Sequence, residues 1–381
     1  MSSTLSNRPG LARRDAPIKH LSPTAVVYCE ATFGSADGKT ANGLVRHSER
    51  YEILSVIDST RAGQDTGAIL GDGPNGIPVV TDLHAAILRH GGTPDYLIFG
   101  MAPSSGMLSS AERTVMLAAM GQGISLVNGL HEFLNDDPEF KAVAEANQVA
   151  ILDVRRPRAK KDLRLFSGRI DDVDCVRIAV LGTDSAVGKR TTATILTKAL
   201  NDRGISTVMV GTGQTGLIQG ARYGVALDAL PCQFGSGEME AAVVDAYEGE
   251  DPQVIIIEGQ GALSHPAYVS STFILRGSKP HGVILQHAPA RVRLGDFANV
   301  VTPEPASEIN LLETFADTKV IGITINHENM TDLEVTQAIA RYEHELGLPV
   351  TDALTRPVAL LVEMVLRAFP AIEPTATAKA S

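Results

Sequence analysis

The chain contains no tryptophan, and aromatic residues make up only 4% of its 381 positions. So few rings do not build the stacking platforms that grip single-stranded nucleic acid. Positive charge is also short: 33 Lys and Arg face 44 Asp and Glu, a formal net charge of −11. Nucleic-acid binders carry a basic footprint, so nucleic acid is not an expected partner. The three cysteines, Cys29, Cys175 and Cys232, are odd in number and far apart. Without a CxxC or Cys/His cluster they do not make a disulfide framework or a structural zinc site. They point instead to a reducing, cytoplasmic compartment. No apolar stretch approaches the roughly 18 residues of a membrane span, so no membrane partner is expected. The basic opening "MSSTLSNRPGLARRDAPIKHLSPT" has no apolar core, which argues against a secretory signal. Residues 1–23 read as a disordered tail, with an organelle transit peptide as the alternative, and residues 371–381 as a second tail.

What is present is an ordinary globular composition, 44% hydrophobic and 20% charged, with length for two or three domains. Short apolar runs alternate with helix-length segments. Runs at 24–29, 52–58, 95–100 and 124–129 read as buried parallel strands, with helices at 81–90 and 110–122 between them. A second series of strands at 175–182, 206–211, 253–259, 281–287 and 319–326 goes with helices at 189–202, 237–248, 305–316, 331–346 and 356–368. This rhythm predicts an α/β protein with a first doubly wound domain over 24–152 and a second over 175–370. Between them, 153–174 is polar, contains Pro157 and is rich in Arg and Lys, which predicts a solvated linker. The alternative is that Arg155, Arg156 or Lys160 leans over a bound phosphate.

The stretch "AVLGTDSAVGKRTTA" (179–193) carries the most chemistry. A strand, a glycine-rich turn and a helix start converge backbone N–H groups on an anion, and the helix dipole adds to the attraction. The predicted phosphate-binding residues are Gly182, Thr183, Asp184, Ser185, Ala186, Val187, Gly188, Lys189, Arg190 and Thr191. Five residues separate Gly182 from Gly188, so Thr183 stands where a P-loop has its first glycine. Arg190 stands where nucleotide hydrolases place the Ser or Thr hydroxyl that binds Mg²⁺. A guanidinium only donates and stays charged, so it does not ligate a cation. The loop therefore predicts a phosphate-bearing ligand held without metal, such as the diphosphate of coenzyme A; Thr191 taking over the metal role is the alternative. A second GKT, in "FGSADGKTANG" (33–43), has one residue too few between Gly34 and Gly38 and reads as a structural turn, or else as a ligand or interface element. Asp58 ends the second strand as a ribose-binding acid would, but no GxGxxG precedes it, so no dinucleotide site is expected there.

In open α/β sheets ligands sit beyond the carboxyl ends of the strands. Polar residues at those ends in the second domain include Gln214, Glu258, Gln260, His265, His287 and Arg291. Glu258 closes the apolar run "VIII" and fits either a metal-binding acid or a general base whose pKa burial raises. No HxxxH pairing suggests a protein-held zinc ion.

Together "GTDSAVGKRTTA", "GTGQTGLIQGARYGVALDAL", "IEGQGALSHPAY", "DGKTANGLVRHSERYEILSVIDS" and "NGLHEFLNDDPEF" resemble the bacterial D-glutamate N-acetyltransferase family, over roughly residues 24 to 368. The resemblance implies a Rossmann-like N-terminal domain followed by a P-loop NTPase-like domain similar to dethiobiotin synthetase. It implies acetyl transfer from acetyl-CoA to an acidic D-amino acid, without metal. Glu258 or His265 would then be the base, with Lys189, Gln214 or a backbone N–H at the oxyanion. Arg222, Gln260, His287 and Arg291 would bind substrate. Small-molecule substrates and a homo-oligomer are the expected partners. The chain departs from the family pattern at Gln233-Phe234, where an Asp-Phe pair is expected after "LDAL". The competing classes are an ATP- and Mg²⁺-dependent ligase or kinase, with Thr191 and Glu258 on the metal, and a nucleotide-sensing protein without catalysis.

Overall fold

A computed structural model describes residues 22–103 and 105–374; residues 1–21 and 375–381, with most of both predicted tails, lie outside it. Fifteen strands occur in chain order: β1 (Thr24–Tyr28), β2 (Glu52–Ile57), β3 (Val79–Val80), β4 (Tyr96–Phe99), β5 (Ser125–Asn128), β6 (Ile151–Asp153), β7 (Val176–Gly182), β8 (Thr207–Gly211), β9 (Tyr223–Gly224), β10 (Val254–Glu258), β11 (Gly282–His287), β12 (Arg293–Leu294), β13 (Phe297–Val301), β14 (Lys319–Ile325) and β15 (Val350–Thr351). The first six form a parallel sheet in the order β3-β2-β1-β4-β5-β6. This is the Rossmann order, which reverses direction between β1 and β4. A second parallel sheet runs β15-β14-β11-β7-β10-β8-β9, and β12 and β13 form a separate antiparallel hairpin.

All nine predicted strands are present. The unforeseen ones are short or lie outside the parallel rhythm, like the hairpin. The central strands read as continuous apolar runs because helices cover both faces. Val254, Ile255, Ile256 and Ile257 of β10 are fully buried, divided between apolar clusters on the sheet's two sides.

The helix Cys232–Glu250 starts five residues before its predicted beginning. Gly235 and Gly237 look like helix breakers, yet a side chain at Gly235 would overlap the Phe273 ring, and one at Gly237 the backbone at Arg164 and Leu165. Close packing outweighs helix propensity here.

The same helix fastens part of the segment 153–174, most of whose residues are exposed. Buried Glu240 accepts N–H bonds from Ser167 (2.7 Å), Gly168 (2.8 Å) and Ile170 (3.2 Å), and Glu238 accepts from the Arg164 N–H (2.6 Å). Ile170 is fully buried.

The two halves are joined by the helix Gln214–Gln219. Ile218 packs into an apolar cluster of the first domain with Leu44, Val45 and Tyr51. The Gln219 amide donates to the carbonyls of Gly43 (2.7 Å) and His47 (2.6 Å), while its oxygen accepts from the Arg190 guanidinium. The Glu49 N–H donates to the Gln219 carbonyl (2.8 Å), and the Thr40 and Thr215 hydroxyls pair at 2.9 Å. Among the described residues, no helix is long and apolar enough to cross a membrane.

Gln219→Leu keeps the side-chain volume but removes the acceptor of the Arg190 guanidinium and one donor from each of the Gly43 and His47 carbonyls. Hydrogen bonds to charged groups contribute about 1.5–3 kcal/mol, so the variant should lose roughly that much stability in denaturant unfolding. An unchanged midpoint would contradict this role for Gln219.

Candidate functional site

A cavity of 1170 Å³ opens where the carboxyl ends of both sheets face each other. From the first domain it is lined by the turn after β1 (Gly34 to Lys39), by Gly129 to His131 after β5, and by Arg155 after β6. From the second it is lined by Ser185 to Thr192 after β7, Gly213 to Thr215 after β8, and Glu258 to Gly261 after β10. Each group follows a strand's carboxyl end, where open α/β sheets hold ligands.

After β7 the chain turns through left-handed residues at Ala186 (φ 49°) and Gly188 (φ 105°), then enters the helix Lys189–Asp202. The N–H groups of Ala186, Val187 and Gly188 donate to no described group. Such a run of amides at a helix N-terminus makes an anion-binding concavity. Its shape is held from behind. Asn326 donates to the Val187 carbonyl (3.1 Å), the Thr192 hydroxyl to Gln286 (2.6 Å), and Lys189 Nζ to the Asp184 carbonyl. Burial pulls the Lys189 pKa down to about 7, with Lys39 and Arg291 adding to the effect and Asp184 and Glu258 opposing it. Arg190 is also enclosed, and burial lowers its pKa to about 10, against the pull of Glu258. It stays charged at neutral pH.

Glu258 closes β10 as a buried carboxylate on the cavity wall. It accepts the Thr212 N–H at 2.9 Å, and a Cβ on Gly216 would overlap it. Burial raises its pKa, opposed by the Thr212 and Gly213 N–H groups, Arg190 and Lys189. Gln260 lines the cavity and donates to the Thr212 carbonyl at 2.8 Å. Gln214 also lines it, packed on Gly129 of the first domain.

Other predicted residues lie elsewhere. Gly182, Thr183 and Asp184 stand behind the cavity wall. Asp184 accepts bonds from Ser185 N–H (2.6 Å), Arg291 (2.8 Å) and Gly295 N–H (2.8 Å), so it fastens the β12–β13 hairpin to the loop. Arg291 reaches the cavity, but its fork is taken by Glu328 (2.7 and 2.9 Å) and Asp184 rather than left for a substrate carboxylate. Arg222 is exposed on Glu250 (2.6 Å), away from the cavity. His287 is buried between the Thr183 hydroxyl (2.9 Å) and Tyr342 (3.1 Å), and burial lowers its pKa to about 4. His265 is buried and stacks on Tyr268. Its Nδ1 accepts from the Ala267 and Tyr268 N–H groups (3.2 and 3.3 Å), so the neutral ring carries its proton on Nε2. That nitrogen faces Asp184 at 3.7 Å with no hydrogen bond. In this arrangement neither ring nitrogen is offered to the cavity.

Two cations set aside in the sequence are on the wall: Lys39 of the second GKT, and Arg155, which donates to the Gly129 carbonyl (2.6 Å) and pairs with Asp228. For Lys39 the signal was a GKT directly after a strand, masked by the wrong loop spacing. Asp58 is buried and accepts N–H bonds from Phe33 (3.1 Å) and Thr60 (3.0 Å), a structural role.

Lys189 gives the loop a pH signature. Ligand-free, it loses its charge above about pH 7. Binding an anion must then recover the proton, so affinity should fall by up to about 10-fold per pH unit above 7. Sulfate, which does not itself titrate there, should therefore raise the melting temperature more at pH 6 than at pH 9. Lys189→Gln should flatten that difference. Equal stabilisation of the unaltered protein at both pH values would contradict the assignment.

Residues 164–362 match a family described as a domain of unknown function, DUF1611_C, a P-loop domain. Residues 59–157 match its companion, DUF1611_N, a Rossmann-like domain. A protein of Tritonibacter scottomollicae named D-glutamate N-acetyltransferase is 32% identical over 274 residues, 70% of this chain and 80% of the relative. One of the same name from a Pseudoalteromonas species is 31% identical over 272 residues, 70% and 79% of the two chains. The crystal structure of a DUF1611 family protein from Anabaena variabilis superposes with a TM-score of 0.83 at 32% identity, across 91% of this chain and 100% of that one. The chain therefore belongs to the DUF1611 family, in which a Rossmann-like domain precedes a P-loop domain and whose named relatives here are N-acetyltransferases.

Proposed function

We propose that the protein transfers the acetyl group of acetyl-CoA to the amino group of an acidic amino acid, D-glutamate being the acceptor in the relatives' names. The observation that carries this reading is the pairing of a phosphate loop bearing Arg190 in the metal-ligand position with a buried carboxylate, Glu258, on the same cavity. A loop built this way suits a diphosphate that is held and never cleaved.

In this reading the unpaired amides of Ala186 to Gly188 and the Lys189 ammonium hold the donor's diphosphate. Glu258 takes a proton from the acceptor's ammonium group. The freed nitrogen forms a C–N bond to the thioester carbonyl carbon, and the C–S bond breaks as the thiolate leaves and takes up the second proton that the nitrogen sheds in becoming an amide. Backbone N–H groups or Gln214 steady the oxyanion formed on the way. The raised pKa of Glu258 makes it a stronger base than an ordinary carboxylate.

Glu258→Gln keeps the shape and an acceptor for the Thr212 N–H but removes the base. Turnover should fall by about 10²–10⁴-fold with acetyl-CoA affinity unchanged. The decline of rate toward acid pH, which reports protonation of Glu258, should disappear in the residual activity. Near-normal turnover would eliminate Glu258 as the base.

A further inference from the structure

The second GKT fails the P-loop spacing, yet the fold presents its lysine to the cavity. The turn after β1 is rigidly built. The Gly34 N–H donates to Asn42 (2.9 Å), and the Asn42 amide donates back to the Ser35 carbonyl (2.9 Å). Asp58 holds Phe33, the Ala102 N–H holds the Asp37 carbonyl (2.7 Å), and a side chain at Gly38 would overlap the Thr32 carbonyl. The turn follows β1, the strand at which the first sheet reverses its order. In such sheets that reversal is where ligands bind.

The turn thus places Lys39 on the wall opposite the phosphate loop, with its side chain open to the cavity. Arg46, Arg155 and Arg291, which also line the cavity, each have a carboxylate partner: Asp72, Asp228 and Glu328. Among the described residues the Lys39 ammonium group has neither a hydrogen bond nor an ion pair. It shares the cavity lining with Lys189, Glu258 and Arg155.

Among the described residues the N–H groups of Ala36, Asp37 and Gly38 in this turn have no acceptor. The N–H groups of Gly34, Ser35 and Lys39 are taken by Asn42, Thr32 and Ala36. An ammonium beside open amides attracts an anion, and with the donor's diphosphate assigned to the loop after β7 the anion left for Lys39 is the acceptor's carboxylate.

We infer that Lys39 binds a carboxylate of the acceptor, so that the Rossmann-like domain supplies the acceptor half of the site and the P-loop domain the donor half. This rests on the acetyl-transfer reading for the word acceptor. The carboxylate site itself is tested without turnover.

The probe is glutarate, a dicarboxylate with no amine to acetylate, titrated by calorimetry into the full chain. The unaltered protein should bind it. Lys39→Met should weaken it by about 10- to 150-fold, the loss expected for one charge-assisted contact, while Lys39→Arg keeps most of the affinity. Acetyl-CoA affinity and the melting temperature of ligand-free Lys39→Met should match the unaltered protein. No glutarate binding by the unaltered protein, equal binding by Lys39→Met, or loss of acetyl-CoA affinity in that variant would each overturn the inference. Glutarate binding that depends on Lys39, in a protein that acetylates no amino acid, would uphold the carboxylate site and remove the acetyl-transfer reading instead.

Discussion

One half-buried guanidinium ties the phosphate loop to the neighbouring domain. Arg190 lies at the first turn of the loop's helix and hydrogen-bonds Gln219, whose amide reaches on to the Gly43 and His47 carbonyls. An unpartnered buried charge costs several kcal/mol, so the arrangement is stable only while both domains keep their places. Gly43 is part of the same constraint, because a Cβ there would press into the Arg190 guanidinium. The residue that replaces a metal-binding hydroxyl thereby fixes the relation of two sheets. The cavity between them follows from that relation.

A second set of charges works from behind. Asp184 is fully buried and gathers Ser185, Gly295 and Arg291. Arg291 in turn holds Glu328 after β14. Together they lock the loop and the β12–β13 hairpin into one piece. Amides aimed at an anion need no rearrangement when it arrives, which is the advantage of a preorganised site.

Much of this was legible in the chain. Parallel strands buried on both faces announce themselves as runs such as "VIIIE", and the loop–helix junction at Gly188-Lys189 is a local pattern. Glu258 was found because a strand end is a position that sequence can locate. What sequence could not give was direction and partner. His265, His287 and Arg291 sit at strand ends or in the loops after them, as expected, but their polar atoms are engaged by Tyr268, Tyr342 and Glu328, residues at varied chain distances. Arg222 was misjudged for the same reason, since Glu250 is 28 positions away and meets it only in the fold. Lys39 was discounted on spacing alone. Its importance comes from the absence of a partner, a property of three-dimensional surroundings. The start of the helix Cys232–Glu250 was placed late because Gly235 is accommodated by packing on Phe273, which only the fold brings there.

The central claim is that the two domains enclose one acetyl-transfer site in which the phosphate loop works without metal. The most direct test mixes the protein with acetyl-CoA and D-glutamate in EDTA and follows free thiol together with the N-acetylated product. The account predicts thiol and N-acetyl-D-glutamate in equal amounts, with no requirement for ATP or Mg²⁺. No thiol release in EDTA, with product formed only when ATP and Mg²⁺ are added, would contradict it.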